Sequence, residues 1–182
     1  MKRSKIAKVL SLALATVIAT SAFSFTSFAK VHADAETQKR ALTAEEIQTI
    51  YTLFDADFYA KANQDVVKVV GDDPMALYTH FVTFGIWEER MPSDGFNVSA
   101  FASRNYDLQP VLGDDIVAWY MYYCTHSNEW ASRPIPSLYA AYRANTDVYS
   151  VYDFVKGQTG PEKGAYPIQT YNYTPMLDRS RL

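Results

Sequence analysis

Two acidic pairs, Asp72-Asp73 and Asp114-Asp115, stand 42 residues apart, each directly after a glycine. Adjacent carboxylates are hard oxygen ligands of the kind calcium takes. A calcium site collects about six to eight oxygens, and no D-x-D-x-D-G loop surrounds either pair. Capping a following helix uses at least one aspartate of each pair and needs no metal. Sugar hydrolysis would need two carboxylates flanking a cleft. Glu88, Glu89 and Glu129 are available, and no spacing singles out two of them. Zinc would want clustered His and Cys, but beyond the N-terminal segment there are only His80, His126 and Cys124. Cys124 and His126 are two residues apart and face different ways on a helix, which is poor geometry for a nucleophile and its base. A Gly-rich phosphate loop, a G-x-S-x-G elbow and an H-E-x-x-H pair are absent from the sequence. The reading is therefore no catalytic residue, no metal and no cofactor.

The remaining chemistry is aromatic. Trp87-x-x-Arg90 and Trp130-x-x-Arg133 share one motif, and these four residues are the candidate ligand-binding set. An exposed indole can stack on a sugar ring, so a repeated Trp could be a repeated platform. The competing reading, which we favour, is a packing latch. Trp would fill a seam between units while Arg capped the carbonyls of the preceding helix.

The motif belongs to a larger pattern. Residues 54–92 set against residues 96–134 give 12 identities at an offset of 42. They include Phe54 with Phe96, Asn63 with Asn105, Asp65 with Asp107, Gly71 with Gly113, Tyr78 with Tyr120 and Pro92 with Pro134. Trp87 and Arg90 reach Trp130 and Arg133 only after a slip of one residue. Such a period means one supersecondary unit used twice.

Each copy reads as short helices. Asp55 caps a turn through Phe58 and Tyr59, Asp65 caps a second helix, and Asp107 does the same before Pro110. Gly71 and Gly113 end those helices as left-handed caps. Asp73 caps the next helix with Pro74 in its first position. Leu77, Phe81 and Phe84 then form an apolar stripe that Gly85 stops. The capping box Thr43-Ala44-Glu45-Glu46 starts an entry helix to about Leu53. "ANTDV" at residues 144–148 repeats "ANQDV" at residues 62–66, so a degenerate third copy follows.

The first eight residues carry Lys2, Arg3, Lys5 and Lys8, and residues 9–28 carry no charge. Small residues at Ala29, Ala33 and Ala35 complete a secretory signal peptide, with cleavage after Ala33 or Ala35. An uncleaved anchor is the alternative, although the Ala, Ser and Thr content makes a mediocre span. From residue 36 onward 12 Lys and Arg face 19 Asp and Glu, a net charge of −7. That acidity argues against nucleic acid or an anionic membrane as partner. A single cysteine in an exported chain fits Gram-positive secretion. The 14 Tyr, 10 Phe and 3 Trp supply large burial areas that can hold small repeats together.

The segments "FDADFYAKANQDVVKVVGDDPMALYTHFVTFGIWEERMP" and "FNVSAFASRNYDLQPVLGDDIVAWYMYYCTHSNEWASRP" resemble a helical repeat of exported Firmicutes proteins. Its usual form is roughly "FDxxYYxxxNPDVxxAxGxDxxALYxHFxxxGxxEGRxP". The resemblance covers about half the chain beyond the leader and carries no assigned activity. It implies a location outside the cell and a helical architecture. Glu89 stands where the pattern has Gly, and the second copy lacks the closing Gly-x-x-Glu-Gly-Arg.

The expectation is an all-α protein. Residues 1–35 are a signal peptide, 36–53 a linker and entry helix, and 54–93 and 94–135 the two repeats. Residues 136–164 are the degenerate third, and 165–182 a Tyr-rich tail. Its expected work is non-enzymatic, as a cell-envelope or extracellular binding module for a cell-wall glycan or another extracellular protein. A small cell-envelope hydrolase is the rival.

Overall fold

The computed structural model describes residues 33–133 and 136–170. Residues 1–32 of the expected signal peptide, residues 134 and 135, and residues 171–182 of the expected tail lie outside the described residues. Among those described, the chain is all-α. Short helices are joined by tight turns, and strand-like pairing is confined to three isolated bridges. No helix among them is long and apolar enough to cross a membrane.

Helix α1 (Ala33–Gln38) leads to α2 (Ala44–Ile50), which opens on the expected box. Thr43 accepts from the Glu46 N–H while the Glu46 carboxylate receives the Thr43 N–H. A 3-10 turn, Tyr51–Leu53, continues α2. The first 42-residue segment then holds α3 (Ala56–Ala62), α4 (Gln64–Val70) and α5 (Pro74–His80). The second holds α6 (Val98–Arg104), α7 (Gln109–Leu112) and α8 (Ile116–Thr125). Beyond them lie α9 (Leu138–Arg143) and a 3-10 turn, Val151–Asp153.

Local chemistry recurs at matching places. Asp55, Asn97 and Ser137 each accept a backbone N–H three residues on, starting α3, α6 and α9. The Asp55 N–H donates to the Pro92 carbonyl at 3.0 Å, and the Asn97 N–H donates to Pro136 at 2.7 Å. Each segment is thus tied end to end. Pro136 plays the part that the alignment gave to Pro134. Asp73 and Asp115 cap α5 and α8, as the sequence reads.

Asp65 and Asp107 do not cap helices. Asn63 and Leu108 occupy the cap positions of α4 and α7, and neither makes a side-chain cap bond. The Asn63 amide instead donates to the Tyr59 carbonyl, and the Asn105 amide to Phe101, closing the helix behind. Both aspartates are left free for a partner far along the chain.

Gly71 and Gly113 have positive φ, 81° and 54°, but ψ of −170° and −130°. They therefore leave the left-handed helical region for one that only glycine enters cheaply. Gly113 is needed for space as well, since a Cβ there would meet the Lys156 backbone nitrogen at 2.8 Å. Gly85 does not stop α5. The chain runs on through a π-helical turn, Phe81–Gly85, and a Cβ on Gly85 would sit 2.3 Å from the Tyr59 hydroxyl.

One aromatic core spans both segments. Tyr59, Tyr78, Phe81, Phe96, Phe101, Trp119 and Tyr120 are all fully buried. Tyr59 meets Phe81 edge-on, Phe81 meets Tyr120, Tyr120 meets Phe96, and Phe101 meets Trp119. This geometry sets the positive edge of one ring on the negative face of the next. The Tyr78 hydroxyl ties α2 to the core through the Ile47 carbonyl. Val151, Tyr152 and Phe154 join the same core, while Ala141 and Val148 pack on Ala100. Gln169 exchanges two backbone hydrogen bonds with Val148, so the expected tail is held to the body at that point.

Candidate functional site

The two Trp-x-x-Arg motifs sit where each segment folds back on itself. Arg90 Nη1 donates to Asn63 Oδ1 at 2.7 Å and to Asp65 Oδ1 at 3.1 Å, and Nη2 donates to Asp65 Oδ2 at 2.8 Å. Arg133 makes the same three bonds to Asn105 and Asp107 at 3.0, 3.0 and 2.9 Å. The Nε–H of Arg90 goes to Glu88, and that of Arg133 to Glu129. Each guanidinium therefore binds its aspartate through two parallel bonds, the most directional ion pair available to proteins. Neither arginine caps helix carbonyls as the latch reading supposed. Each clamps the start of the second helix in its own segment.

The charges respond accordingly. Hydrogen bonds from Arg90 and Arg133 hold Asp65 and Asp107 below the usual carboxylate range. Burial works against the Arg90 cation, but its bonds to Asp65 and Glu88 outweigh that and raise its pKa. The Arg133 bonds to Asp107 and then Glu129 raise its pKa too.

The tryptophans part company. Trp87 is 4% exposed, and its indole N–H is buried with no hydrogen-bond partner among the described residues. It is a core residue and offers no platform. Trp130 is 46% exposed. Its indole N–H donates to the Tyr123 carbonyl at 2.9 Å, and its ring lies on Tyr123 at 5.0 Å with 17° between planes. Beside it, Tyr122 stacks on His126 at 4.0 Å and 7°, and the Arg133 guanidinium lies over the Tyr122 ring at 5.4 Å. The Tyr122 hydroxyl donates to Glu129. Of the four candidates Trp130 alone is exposed; Trp87 is buried, and the Arg90 and Arg133 side chains are both largely covered, at 12% and 17% exposure.

The other chemistry-bearing residues are occupied structurally. Burial pushes the Cys124 thiol up to about 11, away from a reactive thiolate. His80 is buried against the Tyr59 hydroxyl at 3.0 Å, and desolvation lowers its pKa to about 4. Asp114 receives Gln38 at 2.5 Å. Among the described residues, no three His, Cys, Asp or Glu side chains gather as metal ligands would.

Two contributions escaped the sequence reading. Tyr123 supports Trp130 from seven residues upstream, and the residue 42 places before it, Phe81, is a core residue. Glu89 has φ +53°, and its carboxylate accepts from the Ser99 hydroxyl, the Ser150 hydroxyl and the Val151 N–H. The signal for it was present, since Glu89 stands where the resembled pattern has Gly.

Comparison with known proteins adds no relative: no family model matches the chain, and no match was found among curated proteins or solved structures.

Proposed function

We propose that this is an exported, non-enzymatic protein built on two tandem 42-residue helical repeats and a degenerate third. It works as a binding module in the cell envelope or outside the cell, with a cell-wall glycan or an extracellular protein as partner. The repeat reading is supported by the bonds that recur at matching positions, above all the two Arg–Asp–Asn clamps. Export rests on the composition of residues 1–35 and the resemblance to exported repeats. One observation carries the binding reading. Trp130 presents an indole fixed by its own hydrogen bond and stacked on Tyr123, yet nearly half exposed.

The rival hydrolase has less support. Glu88 and Glu129 are ion-paired to Arg90 and Arg133, and Glu89 is engaged by three donors. A general acid–base pair needs carboxylates aimed at a substrate instead.

The test is co-sedimentation of the exported protein with insoluble cell walls and insoluble polysaccharides, with its N-terminus sequenced. Pelleting with walls and a new N-terminus at residue 34 or 36 is the expected result. A chain that retains residues 1–33 sinks the export reading, and one that stays in every supernatant sinks the glycan as partner and leaves an extracellular protein.

A further inference from the structure

We infer that the outer face of Trp130 is a stacking subsite for a neutral pyranose with equatorial hydroxyls, as in an uncharged glucose or N-acetylglucosamine polymer. This deepens the binding-module reading and rests on it. Three features fix the indole before any ligand arrives: its N–H bond to Tyr123, its stack on the Tyr123 ring, and the turn bond from the Trp130 N–H to the Ser127 carbonyl at 3.3 Å. A preorganised ring loses little freedom on binding, so more of the contact energy appears as affinity.

The indole N–H is already used, so Trp130 has a flat π face to offer and no hydrogen bond. A pyranose with equatorial hydroxyls has the matching surface. Its axial C–H bonds point from one face toward the negative face of an aromatic ring. The surroundings suit the hydroxyl rim. Thr125, Ser127, Asn128 and Ser132, close to Trp130 in the chain, are all exposed. A protein-docking patch has an apolar centre continuous over a larger area. Here the exposed residues flanking the indole in the chain are polar, apart from Ala131.

Charge selects a neutral glycan. Arg133 is committed to Asn105, Asp107 and Glu129. The chain beyond the leader carries −7. A polyanionic glycan would meet repulsion from that net charge, with Arg133 already paired to carboxylates.

The experiment titrates the exported protein with soluble chito-oligosaccharide, cello-oligosaccharide and polygalacturonate, and follows protection of tryptophan fluorescence from acrylamide. Trp87 and Trp119 are buried, so the quenchable signal reports Trp130. At least one neutral oligosaccharide is expected to protect it, with polygalacturonate inert. Trp130→Ala should weaken that binding by about tenfold or more, and Trp130→Phe should retain part of it, with helical circular dichroism unchanged in both. Equal binding by wild type and Trp130→Ala overturns the subsite. So does protection by polygalacturonate alone, or by no saccharide. If the wild type still pellets with cell walls in those cases, the module reading survives without this site. If it does not, the glycan partner fails together with the subsite.

Discussion

The two closing segments begin with the same side chains and end in opposite environments. In the first, Trp87 follows a π turn, sinks into the core and leaves its N–H unpaired, while the Tyr152 hydroxyl seals its backbone carbonyl. In the second, the helix ends at Thr125, a 3-10 turn intervenes, and Trp130 folds back on Tyr123 with its N–H satisfied. The arginine clamp survives both routes almost unchanged. It even recruits its second carboxylate from different places, two residues before Arg90 but four before Arg133. The clamp thus depends on the Asn-x-Asp that each segment supplies, whereas the fate of the tryptophan depends on what packs against the segment afterwards. A shared motif can therefore be structural in one copy and surface-facing in the other.

The sharpest break in that comparison is truncation of each tryptophan. Trp87→Ala opens a cavity in a closed core and should cost about 4 kcal/mol. Trp130→Ala loses one exposed stack and should cost about 1 kcal/mol or less. Urea unfolding of the two variants measures both. Similar losses would mean that Trp130 is a packing residue after all. Trp87→Phe should cost much less than Trp87→Ala, because it also removes the unpaired buried N–H.

Acid should separate the copies next. His80 has no titrating counterpart in the second segment, where Tyr122 holds its place. Burial lowers its folded-state pKa to about 4 from an ordinary 6.5. The unfolded chain therefore binds the proton first. This contribution is complete above pH 6.5, falls as the pH drops toward 4, and levels off below that. The loss should be about 3 kcal/mol across the window. Urea midpoints against pH should show the slope, and His80→Gln should flatten it. A slope that persists in the variant would place the acid sensitivity elsewhere. The Asp65 and Asp107 clamps act lower, since depressed carboxylates keep their contribution until the pH falls below about 3.8.

What could be read from sequence follows from the range of each interaction. Thr43, Asp55, Asp73 and Asp115 cap helices through bonds reaching at most three residues, so residue type and position sufficed. Asp65 and Asp107 have the same type and a similar position, yet their partner lies 25 or 26 residues away. Nothing local distinguishes them from caps. Gly85 read as a helix stop because its true constraint, the Tyr59 hydroxyl, belongs to another helix. The candidate platform was half legible. The one-residue slip between Trp87 and Trp130 was visible, but which tryptophan the fold would cover depends on packing well beyond the motif.

The clamps should differ in strength although their geometry does not. Removing Arg90 strands the covered Glu88, 10% exposed, whereas its counterpart Glu129 is 31% exposed. Arg90→Ala should cost about 3 kcal/mol. Asp107 is 64% exposed, against 39% for Asp65, so water screens the second pair. Arg133→Ala should cost about 1 kcal/mol or less and respond more strongly to salt. Equal losses at low and high salt would show that exposure does not set the difference.

The smallest effect tests why the first segment is sealed and the second open. One residue before each arginine stands Glu89 in the first segment and Ser132 in the second. Glu89 holds a left-handed φ that costs a non-glycine residue about 1 kcal/mol. Its carboxylate returns that by receiving Ser99, Ser150 and Val151. Ser132 only bonds back to the Glu129 carbonyl within its own turn. Glu89→Gly relieves the backbone but leaves the buried Ser99 and Ser150 hydroxyls without this acceptor and the Val151 N–H with only the Ser99 oxygen. The balance should be a net loss of about 1 kcal/mol, with faster amide exchange at Val151 before any global change. Ser132→Gly should leave Val151 untouched. A Glu89→Gly protein that is more stable, with Val151 still protected, would mean that the turn at Val151 is held by Ser99 and the core. The burial of Trp87 would then owe nothing to Glu89.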